Sequence, residues 1–210
     1  SLHPNAQMRN TITIQDVLSS RMIADPIHLL DMCQTSDGGG AVIMMSSERA
    51  KSHSKKTPVQ LLGVGEVCAG QHIIYADSLS ESESLRIAAS KAYDMAGVRP
   101  QDIDVAFPYD PATIAVIMGL EEMGFCKKGE GGAFVENGRI ELGGELPVNT
   151  HGGLHSYRHY GMTLSSTVEA VRQLRKECGN RQVEGAEVAL VHHEGGHLCA
   201  ANTVMILGRE

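Results

Sequence analysis

The chain has 210 residues, a formal net charge of −7, no tryptophan and 42% hydrophobic residues. That hydrophobic fraction can form a sizeable aliphatic core, whereas the acidic balance argues against nucleic acid or a membrane surface as a partner, because both favour a basic face. The longest apolar runs, 112–120 and 204–207, are too short to span a bilayer. Five widely spaced cysteines without a CxxC pair are typical of reduced thiols, so we expect a cytoplasmic protein.

In the part of the chain ahead of Pro58, residues Ser1 to Arg21 are predicted to be irregular, with one short helix near Gln15 to Ser20. The apolar run Ala41 to Met45 follows a glycine turn, and its length and flanks predict a buried strand. The charged residues 48–56 then end at the proline. This charged stretch is the best candidate for a domain boundary.

Strands alternate with helices in the next part of the chain. A long strand is predicted for Val59 to Ala69, and a helix for Glu83 to Ala96, whose leucine and alanine residues share one face and which ends at Gly97. The pattern at Asp102 to Phe107 predicts a second strand, and the apolar run from Pro111 to Gly124 predicts a helix that is buried on most sides.

The last third of the chain continues this alternation. The glycine-rich segment 127–144 is predicted to contain a short strand near Phe134. A clean amphipathic helix ends near Arg175, and two strands are predicted at Glu187 to Val191 and Thr203 to Leu207. The element order predicts a layered α/β domain with a mainly parallel sheet and an antiparallel strand at one side.

Three loops of this arrangement carry unusual chemistry, and they span residues 107–113, 149–161 and 192–199. In α/β sheets, sites form from loops at strand ends, so we expect these loops to converge. In the second loop, Gly152 and Gly153 let a ligand approach the backbone ahead of a helix, whose free N–H groups favour negative charge. The alternative is an exposed loop whose histidines do nothing.

The same loops contain the side chains with the clearest chemical potential. His159 and Tyr160 could orient or protonate a substrate oxygen, although each taken alone is more often structural. Tyr109 and Asp110 directly follow a strand end, which is a favoured place for a functional pair. For Asp110 we expect instead a cap on the helix that starts near Pro111.

The cysteines are weaker candidates. None of the five has the glycine- or serine-rich, helix-opening context of an activated nucleophile. Cys126, which two lysines follow, comes nearest to it, and we interpret it as a loop thiol.

Residues 193–197 spell HEGGH, a literal match to the HExxH pattern of zinc peptidases. That chemistry needs both histidines on one face of a helix, whereas Gly195 and Gly196 together cost about 2 kcal/mol of helix propensity relative to alanine. We therefore prefer a glycine turn between two strands and expect no metal. His193 stays a candidate general acid or base, and because strand neighbours point to opposite faces, at most one of His192 and His193 faces a given pocket.

Four regions carry motifs that are specific as a set, and they read PNAQMR with TIQDVLSSRMIADPIHLLDMCQTSDGGGAVIM, VRPQDIDVAFPYDPAT, NTHGGLHSYRHYG and VALVHHEGGHLCAANTVMIL. The first region resembles the end of the loop region and the last strand of a thiolase first half. The second resembles the thiolase segment that ends in Asn-Glu-Ala-Phe or His-Asp-x-Phe, and the third resembles the Gly-Gly-Leu…Gly-His-Pro stretch. The fourth resembles the closing Cys-x-Gly-Gly loop with the last strand. The resemblance is to thiolases, above all the sterol-carrier-protein type and its lipid-transfer-protein relatives.

This resemblance implies a fold and a division of the chain. The expected fold is a thiolase-like layered α/β sandwich, in which helices cover both faces of a mixed five-stranded sheet. Residues 1–57 would form the end of the loop region and the last strand of the first half-domain. Residues 58–210 would form the C-terminal thiolase-like domain.

The resemblance also implies roles for single residues. His159 takes the place of the histidine that activates the nucleophile or binds the thioester oxygen, and Tyr109 that of the Asn or His that holds an oxyanion-hole water. His193 lies near the position of the cysteine that serves as acid and base in the Claisen step. Gly195 and Gly196 match glycines whose N–H groups help to bind an oxyanion.

Several departures from the thiolase pattern bear on the reaction. Arg158 and Tyr160 replace the glycine and proline around the family's histidine, Ala112 replaces a phenylalanine, and the acid/base cysteine is absent. The nucleophilic cysteine of the family belongs to the first half, which we expect this chain to lack. One tyrosine lies in the loop 107–113 at the strand end (the strand-end loop) and another in the loop 149–161 (the glycine loop). They are similar to tyrosines of thiolase-like steroid side-chain aldolases. Those enzymes cleave a β-hydroxyacyl-CoA without a cysteine nucleophile and work with a small OB-fold partner.

The sequence therefore predicts a thiolase-like acyl-CoA enzyme, or its C-terminal half, that makes or breaks a carbon–carbon bond in a β-keto acyl-CoA by acyl transfer. Retro-aldol cleavage of a β-hydroxyacyl-CoA and a non-catalytic CoA- or lipid-binding subunit are the alternatives. The expected catalytic residues are His159, His193, Tyr109 and Tyr160. Coenzyme A is expected as part of the substrate, without a tightly bound cofactor. We expect a homodimer or higher oligomer, and a first-half thiolase chain or a small OB-fold protein as a further partner.

Overall fold

The segment before residue 54 forms short elements that bury little. The computed structural model describes residues 1–53, 55–68, 78–159, 164–195 and 201–209. The first of these ranges contains helix α1 (Ile14–Ser19), the paired strands β1 (Met22–Ala24) and β2 (Ile27–His28), and helix α2 (Ser47–His53). Helix α1 begins with a capping box between Thr13 and Asp16, and it confirms the short helix predicted there.

The apolar run 41–45 does not form the predicted buried strand. It lies outside the described strands, and its side chains are exposed, with Ile43 86% and Met44 75% accessible. A strand needs a neighbour that pairs its backbone N–H and C=O groups, and no described strand lies beside this run. An apolar run therefore predicts burial only where a second surface is present to cover it.

The second part of the chain is built on a four-stranded mixed sheet. Its strands are β3 (Val59–Cys68), β4 (Val105–Phe107), β5 (Val188–Gly195) and β6 (Ala201–Arg209), in the spatial order β3-β6-β5-β4. Strand β6 runs antiparallel to both β3 and β5, whereas β4 and β5 are parallel. The predicted antiparallel strand is therefore present, but it lies inside the sheet rather than at one side, so two of the three strand pairs are antiparallel. Five residues separate β5 from β6, and a parallel return needs a crossover of a dozen or more.

A short segment beside β4 takes the place of a fifth strand. Val148 forms a parallel bridge with Ala106, whose N–H donates to the Pro147 carbonyl at 3.0 Å and whose carbonyl accepts the Asn149 N–H at 3.0 Å. The mixed sheet with its helices confirms the predicted layered α/β sandwich, although this sheet has four described strands and the bridge where five strands were predicted. The bridge also fixes the point at which the glycine loop leaves the sheet.

Helices α3 (Glu83–Ala96) and α4 (Thr113–Glu122) pack on one face of the sheet, and both were predicted. The Ser82 hydroxyl accepts the Leu85 N–H at the start of α3, and Gly97 ends it with a φ of +69°, which suits a residue without Cβ. The alanine-rich face of α3 joins residues of α4, β5 and β6 in a buried cluster. Small side chains on this face let the helix lie close to the sheet.

The glycine-rich segment after α4 contains a short helix rather than the predicted strand near Phe134. This helix, α5 (Gly131–Phe134), is closed by the Phe134 N–H, which donates to the Glu130 carbonyl at 2.9 Å. The Glu121 carboxylate of α4 accepts the Gly131 N–H at 3.0 Å. Because these backbone groups are satisfied locally and by α4, the segment closes into a turn instead of extending along the sheet.

Helix α6 (Leu164–Leu174) packs on the opposite face, in agreement with the amphipathic pattern that ends near Arg175. Its Leu174 shares a buried cluster with Phe107 of β4 and Val191 of β5. The sheet is thus covered on both sides, and the ends of β4 and β5 lie between the two helical layers. None of the helices in the described ranges is long and apolar enough to cross a bilayer.

The close contact between α3 and β3 predicts that Gly65→Ala destabilises the protein. A Cβ at Gly65 would lie 1.9 Å from the Ala88 carbonyl oxygen and 2.9 Å from the Lys91 Cβ, so helix and strand would have to separate. We expect urea unfolding to show a loss of about 2–3 kcal/mol in the free energy of unfolding. The matched control is Gly132→Ala, where nothing lies within 4 Å of a Cβ, and its effect should stay within about 0.5 kcal/mol. Equal effects of the two changes would contradict this packing.

Candidate active site

Tyr109 and His159 meet at the end of strand β4. Tyr109 lies two residues beyond the strand, and His159 follows a single π-helical turn, Gly153–Tyr157. The Tyr109 hydroxyl lies 3.4 Å from His159 Nε2, and the rings stand edge to face with centroids 6.1 Å apart. Two of the three loops that the sequence singles out thus converge through these side chains.

Cys33 is the third side chain of this cluster, and the sequence did not point to it. Its Sγ lies 3.2 Å from His159 Nδ1, so the imidazole sits between a thiol and the Tyr109 phenol. Burial raises the pKa of the Cys33 thiol, and the Asp110 carboxylate, when ionised, adds to that shift. The thiol is therefore protonated at neutral pH.

Backbone hydrogen bonds hold the segment around Cys33 against both loops. The Cys33 N–H donates to the Pro111 carbonyl at 2.9 Å, and the Gln34 N–H donates to the Leu154 carbonyl at 3.2 Å. The position of the thiol is therefore set by tertiary contacts with the strand-end loop and the glycine loop. No local sequence pattern marks such a residue.

The Asp110 carboxyl joins the same two loops directly. It is 6% exposed, and both its oxygens lie 3.1 Å from the Leu154 nitrogen, whose N–H donates to it. Gly153 permits this approach, because its φ is +60° and a Cβ would lie 1.9 Å from Asp110 Oδ2. The prediction that Asp110 caps helix α4 is wrong. Ala112 occupies the cap position, and the Asp110 side chain is used by the glycine loop instead.

The glycines of this loop are explained by packing inside the protein. Gly152 has a φ of +103°, and a Cβ there would lie 2.4 Å from the Ser156 hydroxyl and 2.5 Å from the Ser1 hydroxyl. Gly153 is required by its contact with Asp110. The expectation that Gly152 and Gly153 bind substrate stays a prediction, because their lack of side chains already has a structural cause.

His192, rather than His193, contacts the strand-end loop. The two residues are neighbours on β5, so their rings lie on opposite faces of the sheet. His192 Nδ1 accepts the Tyr109 N–H at 3.3 Å, and its Nε2 donates to the Asn202 side-chain oxygen at 2.9 Å. His193 Nε2 lies 3.0 Å from the Thr167 hydroxyl of α6. Among the described contacts, His193 is thus hydrogen-bonded to α6 and not to the phenol–imidazole pair at the end of β4.

Burial decides which groups near the site carry charge. It raises the pKa of Asp110 to about 8 and lowers the pKa values of His192 and His193 to about 4. It also raises the pKa of Tyr109. At neutral pH these four side chains are therefore mainly uncharged donors and acceptors.

Three of the residues singled out by the sequence, Tyr160, Gly196 and His197, lie outside the described ranges. Gly195 is the last residue of β5. Residues 193–195 belong to that strand, whereas HExxH ligands share one face of a helix, so the zinc-peptidase arrangement does not form there. Within the part of the chain that the structure describes, no group of three or more His, Cys, Asp or Glu side chains could hold a metal ion.

The buried Asp110 predicts a pH-dependent stability. Its pKa of about 8 lies above the ordinary value of 3.8, so the folded protein holds a proton that the unfolded chain releases. The contribution of this carboxyl to the free energy of unfolding should therefore fall between about pH 4 and about pH 8, by up to about 1.4 kcal/mol per pH unit. Asp110→Asn keeps an acceptor for the Leu154 N–H and should lose this slope. Denaturant unfolding of both proteins across this range measures it, and parallel curves would argue against a neutral Asp110.

The contact between Gly153 and Asp110 predicts that Gly153→Ala is more damaging than alanine at another left-handed glycine. Gly185 has a φ of +76° and nothing within 4 Å of a Cβ, so Gly185→Ala reports backbone strain alone, about 1 kcal/mol. Gly153→Ala adds the overlap with the buried carboxyl and should cost about 3 kcal/mol. Urea unfolding compares the two variants, and similar losses would rule out the close contact.

Comparisons with known proteins match this architecture to one family. A family model described as thiolase C-terminal domain-like matches residues 65–209. The chain is 37% identical over 198 residues to the acetyl-CoA acetyltransferase of Methanothermobacter thermautotrophicus, and the match covers 93% of this chain and 51% of that protein. It is 39% identical over 170 residues to the steroid side-chain-cleaving aldolase of Thermomonospora curvata, with 78% of this chain and 42% of that protein covered.

A solved structure has the same fold. The structure described as an Ltp2-ChsH2(DUF35) aldolase superimposes with a TM-score of 0.86 at 35% identity, and the match covers 94% of this chain and 51% of that one. The chain thus spans about half the length of the curated relatives it matches. The resemblance to thiolases is confirmed, and the chain belongs to the thiolase C-terminal domain-like family.

Proposed function

We propose that this chain is the C-terminal half of an enzyme that breaks or makes a carbon–carbon bond in an acyl-CoA thioester, by aldol chemistry on a β-hydroxyacyl-CoA. The observation that carries the proposal is the 3.4 Å contact between the Tyr109 hydroxyl and His159 Nε2. A phenol and an imidazole in contact can move a proton without a nucleophilic cysteine. Two of the relatives described above are aldolases, which supports this class of reaction.

The Tyr109 phenol needs His159 in order to act as a base. Burial raises the pKa of Tyr109, and the nearby acidic groups Cys33 and Glu194 add to that shift, so the phenol is protonated at neutral pH. It can accept a proton from a substrate only while it passes its own proton to His159 Nε2. The 3.4 Å separation is long for a hydrogen bond, and such bonds commonly shorten when substrate binds.

In the cleavage direction, this pair removes the proton of the β-hydroxyl group. The Cα–Cβ bond then breaks, the hydroxyl oxygen becomes the carbonyl oxygen of the released ketone or aldehyde, and the electron pair of the bond forms the enolate of the remaining thioester. The proton held by His159 returns through Tyr109 to the enolate carbon. The step consumes no oxidant or reductant, and its products are a carbonyl compound and a shorter acyl-CoA.

The remaining parts of this enzyme are proposals that follow from the half-length match. Coenzyme A enters as part of the substrate, and the scheme uses no tightly bound cofactor. The rest of the active site would come from a thiolase first half, either in the same polypeptide or in a companion chain. The solved relative described as an Ltp2-ChsH2(DUF35) aldolase has a second component in its description, which supports a companion protein here as well.

The proposed proton relay, from the substrate hydroxyl through Tyr109 to His159, predicts that Tyr109→Phe and His159→Gln each lower kcat for β-hydroxyacyl-CoA cleavage by about 100-fold or more. The matched control is Tyr93→Phe, because the Tyr93 hydroxyl donates to the Met123 carbonyl at 3.0 Å inside the core. That variant should lose stability and keep kcat within about twofold. The assay follows release of the carbonyl product by protein purified from its native host, so that any companion chain is retained. A Tyr109→Phe variant with unchanged kcat would overturn the relay.

Thiolase-type acyl transfer is the second candidate, and the acetyl-CoA acetyltransferase relative supports it because the match covers 93% of this chain. Acyl transfer requires a thiol that becomes acylated, whereas the aldol route forms no acyl-enzyme. Mass spectrometry after incubation with a β-keto acyl-CoA therefore separates the two reactions. A covalent acyl adduct on cysteine favours acyl transfer, and β-hydroxyacyl-CoA cleavage without an adduct favours the aldol route. Binding of acyl-CoA with neither outcome favours a non-catalytic subunit.

A further inference from the structure

We propose that Cys33 is a positioning residue for His159: its sulfur holds Nδ1 of the imidazole and thereby directs Nε2 at the Tyr109 hydroxyl. This assignment deepens the proposed function and rests on it. The sulfur lies 3.2 Å from Nδ1, on the opposite side of the ring from the phenol, which lies 3.4 Å from Nε2. Both ring nitrogens of the histidine are thus occupied by named partners.

The thiol is itself held in place by the loop that carries the phenol. The Cys33 N–H donates to the carbonyl of Pro111, which lies two residues after Tyr109. On the other side, the Ser36 hydroxyl accepts the His159 N–H at 3.2 Å. The segment between Cys33 and Ser36 therefore contacts the histidine at its ring and at its backbone, which leaves little freedom for the ring to turn away.

The two partners of the ring also select its tautomer. A phenol is a better hydrogen-bond donor than a thiol, so Nε2 accepts from Tyr109 and the proton of the neutral ring lies on Nδ1. The Nδ1–H group then donates to the Cys33 sulfur. This is the tautomer that the relay needs, because Nε2 must be free of its own proton to receive the one from Tyr109.

The surroundings of Cys33 argue against a nucleophilic role. Burial raises the pKa of its thiol, whereas nucleophilic cysteines are deprotonated by nearby positive charge or a helix N-terminus. Among the described residues, the charged group that shifts the pKa of this thiol is the acidic Asp110, and no cation contributes. A sulfur that stays protonated serves as a hydrogen-bond partner for His159 and not as an acyl acceptor.

The test compares Cys33→Ala and Cys33→Ser with a matched thiol outside the site, Cys126→Ala. Cys126 is also half-buried with a raised thiol pKa, and it lies beyond the opposite end of helix α4. The serine hydroxyl can accept the Nδ1–H of His159, whereas alanine cannot. The first readout is ¹⁵N NMR of histidine-labelled protein, with the His159 signals assigned by their loss in His159→Gln.

We expect His159 to populate a single tautomer, protonated at Nδ1, in the wild type, in Cys33→Ser and in Cys126→Ala, and a mixture of tautomers in Cys33→Ala. The second readout is cleavage of a β-hydroxyacyl-CoA by the protein from its native host. Cys33→Ala should lower kcat by about tenfold with KM within about twofold, because a misdirected ring damages the proton transfer and not binding. Cys33→Ser should recover kcat to within about threefold of the wild type.

Two results would overturn the assignment. An unchanged tautomer in Cys33→Ala means that the sulfur does not direct the ring. If Cys33→Ser is as inactive as Cys33→Ala and the wild-type protein carries an acyl adduct on Cys33, the thiol is a nucleophile. If the wild type cleaves no β-hydroxyacyl-CoA, the proposed function fails, and the NMR result still decides the role of Cys33.

Discussion

One buried hydrogen bond sets the geometry of the candidate site. The Asp110 carboxyl stands at the end of β4, and it accepts the Leu154 N–H from a loop 44 residues further along the chain. Burial raises the pKa of this carboxyl to about 8, so the group that joins the loops is mainly neutral and does not require a buried counter-ion. Gly153 is the residue that allows the approach, because a side chain there would occupy the space of the carboxyl. Tyr109 directly precedes Asp110, so the position of its ring depends on the hydrogen bond between Asp110 and Leu154.

The segment around Cys33 is held in place by the residues at the same hydrogen bond. The Leu154 N–H donates to Asp110, and the Leu154 carbonyl accepts the Gln34 N–H. The carbonyl of Pro111, next to Asp110, accepts the Cys33 N–H. Each loop therefore binds both the other loop and the segment between them. A substitution at Asp110 would alter the positions of all three chain segments, because none of them is held by local contacts alone.

The parts of this architecture that were predictable are those whose causes are local. Helix α3 follows from its alanine-rich face, the Ser82 cap and the stop at Gly97, all of which are adjacent in the chain. The antiparallel direction of β6 was predictable, because five residues cannot return a strand in parallel, but its place between β3 and β5 depends on long-range pairing. The contact between Cys33 and His159 was not predictable, since 126 residues separate the two. Asp110 was misassigned because a capping pattern competes with a tertiary acceptor role at the same position.

Burial keeps several groups of the site uncharged, and this favours one kind of chemistry over another. It raises the pKa values of Asp110, Tyr109 and Cys33 and lowers that of His192, so acids stay protonated and this base stays uncharged. A thiolate nucleophile needs the opposite environment, with positive charge close to the sulfur. A protonated phenol in contact with an imidazole can instead pass its proton to Nε2 and take it back in a later step, as in the scheme proposed for Tyr109 and His159. At the end of β4 the phenol contacts one ring nitrogen of His159 and the Cys33 sulfur contacts the other, and this geometry favours the proposed proton transfer between Tyr109 and His159.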